Sequence, residues 1–341
     1  MAYTAINKSS LFMNPILYTG NGGTNAITGV GFQPDVTWIK DRDASTNQMF
    51  FDAVRGVTKE LVVSNDSAGA TAANSLTAWG ADGFTVGDSG NVNTNTNNIA
   101  SWNWKANGAG SANTVGDIES TVSVNTTSGF SIVKYIGSGT GSDTVGHGLG
   151  VAPKVVIIKC TSDASTSWIT QILPVEGYLY LDLDNAITLN STWLPLTSTT
   201  FELENTWGAY NTAGRTYMAY CFAEISGFSK FGSYVGNGNV NGTFVYTGFR
   251  PECLIIKETS TSATWFLIDS KRSPYNVASI KTCPDLPNAD TDASWVNTDF
   301  LSNGFKFRTT EVDINYDGST YVYMAFGQTL VGTNNIAANA R

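Results

Sequence analysis

The chain has 341 residues, a net charge of −9, 14% charged and 12% aromatic residues. At roughly 150 residues per domain, that length suggests two or three domains. The aromatic content argues against disorder, and an acidic balance without a Lys/Arg cluster opposes nucleic-acid binding. No segment has the apolar length to span a bilayer, and "MAYTAINKSSLFMNPIL" lacks the basic start and apolar core of a cleaved signal, so neither membrane insertion nor export is expected.

Residues 1–16 read as an N-terminal arm. The first unit, 17–106, opens with "YTGNGGTNAITGVGFQPDVTWIK", Tyr18 to Lys40. Its glycines predict turns, and Pro34 predicts the start of a strand, where a missing N–H does least harm. Asp-Gly before Phe84 predicts a tight turn into a strand with an inward aromatic, and "NIASWNW" closes the unit at Trp104.

A polar linker is expected over 107–127. The second unit, 128–226, repeats the punctuation from Tyr135 to Lys159, then Phe201, then "TYMAYCF" ending at Phe222. "EISGFSKFG" joins it with little slack to the third unit, 227–330, so these two are expected to dock more tightly than the first two. The third unit runs through Tyr234 to Lys257, Phe305 and Phe326, and residues 331–341 read as a polar C-terminal tail.

The spacings make this a repeat. Pro34, Pro153 and Pro251 each stand six residues before Lys40, Lys159 and Lys257, and the middle Phe precedes the closing aromatic by 20, 21 and 21 residues. Closing aromatics lie 118 and 104 residues apart, too far for a solenoid turn and suited to a domain. Short runs of Val, Ile, Thr, Tyr, Phe and Trp between Gly/Asn/Asp/Ser clusters predict an all-β chain of three tandem β-sandwich, jelly-roll-like domains with little helix. The best helical candidate is Asp292 to Asn303.

Candidate chemistry is sparse. His147, the only histidine, stands in a glycine-rich turn and reads as locally packed rather than catalytic. Asp41/Asp43, Asp182/Asp184 and Asp313/Asp317 are local carboxylate pairs that do not establish glycoside hydrolysis; Asp182 and Asp184, alternating with leucines, read as the wet face of a strand. Asp88, Asn91, Asn93 and Asn95 lack the carboxylate density of a calcium loop, so no metal or other cofactor is expected. Cys160, Cys221, Cys253 and Cys283 read as packed thiols. Trp79, Trp193, Trp207 and Trp295 fall near predicted loops and are the candidate glycan-stacking residues, although such side chains also fill small sandwiches.

The segments "MAYTAINKSSLFMN", "ITGVGFQPDVTWIKDR", "FFDAVRGVTKEL", "GFSIVKYIGSGTGSDTVGHGLGVAPKVVIIK" and "YMAYCFAEISGFSKFGSYVGNGNVNGTFVYTGFRPECLIIK" together resemble a repeat of virion proteins from tailed bacteriophages, particularly marine and cyanobacterial ones. The resemblance implies a non-enzymatic tail-fibre or capsid-surface component, assembled in the host cytoplasm and then exposed on the virion. Other virion proteins are its implied partners, a homotrimer its implied state, and host attachment a further role. A lectin-like module for host surface polysaccharide is the alternative, and a polysaccharide depolymerase a more distant one. The family supplies no catalytic constellation, and unit two has "TQILPV" where unit one has "FDAVRG", so an Asp52–Arg55 contact reads as structural.

Overall fold

The structure, a computed structural model, describes residues 4–189, 194–204 and 206–328. Six antiparallel sheets pair into three sandwich-like units. In unit 1 the large sheet has the spatial order Met13–Thr19, Asn98–Trp104, Val36–Asp41, Met49–Asp52, Lys59–Val62, Ala70–Thr71, and Asn25–Thr28, Gly83–Val86 and Leu76–Gly80 form the small sheet. Unit 3 repeats this with Ser229–Val235, Thr320–Gln328, Arg250–Glu258, Phe266–Asp269, Ile280–Thr282 and Thr291–Asp292, opposite Phe244–Tyr246, Gly304–Phe307 and Thr298–Leu301. Unit 2 has the same order, Phe130–Ile136, Thr216–Phe222, Val155–Cys160, Ile169–Ile172, Leu179–Tyr180, with Asp143–Gly146 and Thr200–Leu203 as its small sheet.

Three expectations change. The segment 107–127 contains Ser111–Asn113 and Ser120–Asn125, which add two strands to the edge of unit 2's large sheet. Alternation in "STVSVN" carried that signal beneath a polar composition. The supposed N-terminal arm is packed: Ile6 and Met13 are buried in the core, and a strand begins at Met13. Asp292 to Asn303 is not helical but spans the end of one strand and the whole of another, because Asp292 pairs with Ile280 and Thr298–Leu301 pairs with Gly304–Phe307. The tail 331–341 lies outside the described residues.

The central strands read as continuous apolar runs because they are buried on both faces. Ile39, Ile158 and Ile256 face the small sheet of their own unit, whereas Trp38, Ile157 and Ile255 join one core shared by all three units. The closing aromatics meet there. Ring centroids of Trp104 and Phe222 are 6.4 Å apart, those of Trp104 and Phe326 5.8 Å, and those of Phe222 and Phe326 5.7 Å. The three units therefore close around a pseudo-threefold axis within one chain, so that unit 1 meets both of the others.

The seams repeat in cyclic order. Trp168 Nε1 of unit 2 donates to Val62 O of unit 1 at 2.8 Å, Trp265 Nε1 of unit 3 donates to Tyr180 O of unit 2 at 2.8 Å, and Gln48 Nε2 of unit 1 donates to Cys283 O of unit 3. By strand register the three donors occupy one position and the three acceptors another. A second cycle is made of backbone alone: Gly69 N to Thr161 O, Ile187 N to Thr259 O, and Asp290 N to Arg42 O, each 2.9 Å.

Candidate functional site

The opening glycine motif is a structural lock. Tyr18, Tyr135 and Tyr234 donate from Oη to Val92 O, Tyr210 O and Ile314 O at 2.6, 2.8 and 2.7 Å. The residue after each acceptor is a buried asparagine, Asn93, Asn211 or Asn315, whose Oδ1 accepts the backbone N–H of Asn21, Ser138 or Asn237 at 2.9 to 3.1 Å. At Gly20, Gly137 and Gly236 a Cβ would fall 2.0, 2.4 and 2.2 Å from a carbonyl oxygen of the facing loop, so only glycine lets the two loops meet. Each asparagine stands eleven residues before its closing aromatic, a constant spacing that would have found it from sequence.

One member of the calcium-like loop is therefore used structurally. Asn93 lies in a single helical turn, Gly90–Asn93, and its Nδ2 donates to Gly23 O and Gly87 O at 2.6 and 2.8 Å. His147 is buried as well: Leu149 N donates to its Nδ1 at 3.2 Å, leaving Nε2–H for Thr197 O at 3.2 Å. Burial pushes its pKa down, so it remains neutral at physiological pH.

The repeated lysines are buried at the seams. Lys159 Nζ donates to Asp66 O of unit 1 at 3.0 Å, and Lys40 Nζ to Ala44 O at 2.8 Å. Burial lowers each of Lys40, Lys159 and Lys257 from 10.5 to about 8, so all three are still ammonium ions at neutral pH. Asp182 is not on a wet strand face but is buried beyond the strand end, where its Oδ1 accepts Trp168 N at 3.0 Å; burial lifts its carboxyl to about 6. Asp285 holds Trp265 N at 3.1 Å in unit 3 and is lifted by burial to about 7.

Asp52–Arg55 and Asp269–Arg272 are buried ion pairs at two seams. Each faces a donor from the next unit: Tyr220 Oη reaches Asp52 Oδ2 at 2.9 Å, and Trp102 Nε1 reaches Asp269 Oδ2 at 3.1 Å. In unit 2 the pair becomes Ile172 and Val175, and the register position of Tyr220 and Trp102 becomes Met324 in unit 3. Both sides of that seam are apolar.

Of the tryptophans expected to stack on sugars, the three described ones lie in three different units. Trp79 is half-buried on the core of unit 1. Trp207 is half-buried in unit 2, its ring 4.9 Å from Tyr178 and 5.5 Å from Tyr210. Trp295 is 40% exposed in unit 3, with Lys281 Nζ 4.1 Å from its ring centroid. Trp193 lies outside the described residues. Sequence reasoning missed a different feature, a cleft of about 240 Å³ between units 1 and 2 whose lining includes Arg55, Lys59 and Lys134.

The fold and its seams define a single-chain, pseudo-threefold β-sandwich protein. Its residues 8–329 match the profile of a domain of unknown function, DUF7483, and the chain belongs to that family. The match takes in all three units together. No curated protein and no solved structure matches the chain.

Proposed function

We propose that the protein is a non-enzymatic structural part of a bacteriophage particle, displayed as a tail-fibre knob or surface spike and held by other virion proteins. The observation that carries this reading is the triangle of Trp104, Phe222 and Phe326, around which one chain closes three units. The recurrent charged side chains support it, since the buried lysines and Asp–Arg pairs act within the seams. A threefold body also suits a position on a particle axis, and one chain supplies the symmetry that the sequence-based expectation assigned to a homotrimer.

Mass spectrometry and immunogold labelling of gradient-purified particles test the proposal. Copies at a fixed vertex or tail position are expected; absence from the particles overturns it. Host attachment through glycan stacking is a second reading, favoured by the 40% exposure of Trp295. Replacing Trp295 with alanine is expected to abolish host-cell binding under that reading, and unchanged binding removes it.

A further inference from the structure

The cleft between units 1 and 2 is lined by three cations in a chain of net charge −9, and among the described residues no carboxylate lines it. Unit 1 contributes Arg55 and Lys59, and unit 2 contributes Lys134. Arg55 is rigidly held, its Nη2 donating to Phe50 O at 3.2 Å and its Nε to Asp52 at 2.5 Å. Lys59 donates to Thr71 Oγ1 at 2.7 Å. Among the described residues, neither Lys59 nor Lys134 has an acidic partner within ion-pair distance. Thr71, Thr161, Ser162 and Thr216 add hydroxyl groups to the walls.

The internal repeat serves as a control. By strand register, the positions of Arg55, Lys59 and Lys134 hold Val175, Gly177 and Ser233 at the seam of units 2 and 3, and Arg272, Ile280 and Leu17 at the seam of units 3 and 1. Neither of the other two seams has a cation at the positions of Lys59 and Lys134, so the fold does not require those two lysines, whereas Arg272 keeps the place of Arg55 at one of them. Two exposed lysines without an acidic partner, beside a guanidinium whose charge Asp52 already offsets, form an oxyanion site, and a wall of hydroxyl groups suits a polyol.

We propose that this cleft binds an anionic saccharide, a sugar ring bearing a carboxylate or sulfate, with the oxyanion between Lys59 and Lys134 and the ring hydroxyls against the threonine and serine wall. The site is independent of where the protein resides: its failure would leave the virion reading standing, and absence from particles would leave the site standing.

Titration calorimetry of the full-length chain with glucuronate and galactose 6-sulfate oligosaccharides, the neutral glucose and galactose oligosaccharides, and inorganic sulfate tests it. Binding of at least one charged sugar is expected, weakening as salt rises, with the two charged probes separating carboxylate from sulfate recognition. The double variant Lys59→Ala/Lys134→Ser, at two exposed positions, is expected to lose at least tenfold in affinity with an unchanged melting temperature. Lys230→Ala, in the cleft between units 2 and 3, is expected to leave binding intact. Failure of both charged sugars to bind, equal binding of the neutral sugars, equal binding of inorganic sulfate, or full affinity in the double variant would each overturn the proposal.

Discussion

Asn315 illustrates how much one polar side chain contributes when it is buried and fully used. Its Oδ1 accepts Asn237 N at 3.1 Å, and its Nδ2 donates to Thr309 O and Asn239 O at 2.7 and 3.0 Å. Replacing it with alanine strands several backbone groups, each costing about 1–3 kcal/mol. Asn315→Ala is therefore expected to lose at least about 3 kcal/mol in urea unfolding, whereas the exposed Asn241→Ala should change little. The buried acids make a different prediction. Burial raises the folded-state pKa of Asp182 to about 6 and that of Asp285 to about 7, from 3.8. Their contribution to stability is full below 3.8 and is lost as pH rises through those values. The seam lysines, lowered to about 8 from 10.5, contribute fully above 10.5 and lose that contribution as pH falls through 8. Unfolding free energy measured at pH 4.5 and 8 should thus fall less steeply with pH in Asp285→Asn than in the parent, since asparagine keeps an acceptor for Trp265 N while removing the titration.

At the scale of elements, the seams solve one packing problem in two ways. Asp52, Arg55 and Tyr220 form a buried polar cluster, whereas Ile172, Val175 and Met324 occupy the matching positions in apolar form. Removing one member of a buried ion pair leaves the other charge uncompensated, so Asp52→Ile alone is expected to cost about 3–5 kcal/mol. Adding Arg55→Val and Tyr220→Met recreates the apolar solution and is expected to recover most of that loss; chemical denaturation of the single and triple variants measures it. The repeat was legible at this scale because turn glycines, prolines and closing aromatics recur at fixed chain distances. The two added strands of unit 2 were legible only in part, because the alternation of Val122 and Val124 in "STVSVN" is a two-residue signal and pairing with Phe130–Ile136 decides the strand.

For the whole molecule, the shared core makes three units one cooperative body. Each unit leaves aromatic surface bare if separated: Trp38, Trp102 and Trp104 from unit 1, Tyr220 and Phe222 from unit 2, and Phe231 and Phe326 from unit 3 all enter the same cluster. Differential scanning calorimetry should show one unfolding transition rather than three, and an excised unit 3, residues 227–328, should fail to fold or should aggregate. Two resolved transitions would mean that the seams are weaker than the core implies. Light scattering that gives the mass of one chain would agree with a threefold closure completed internally.

The sequence by itself determined the all-β class, the three units, and the residues that punctuate them, because those depend on local turn geometry and on alternation along a strand. Only the tertiary structure decided what the repeated residues are for. The closing aromatics meet at an axis, the lysines are buried at seams, and the glycines admit a facing loop. Arg55, Lys59 and Lys134 converge only when units 1 and 2 dock. Chain spacing records how often a residue recurs, whereas a seam depends on the orientation of whole sheets, which no local pattern encodes.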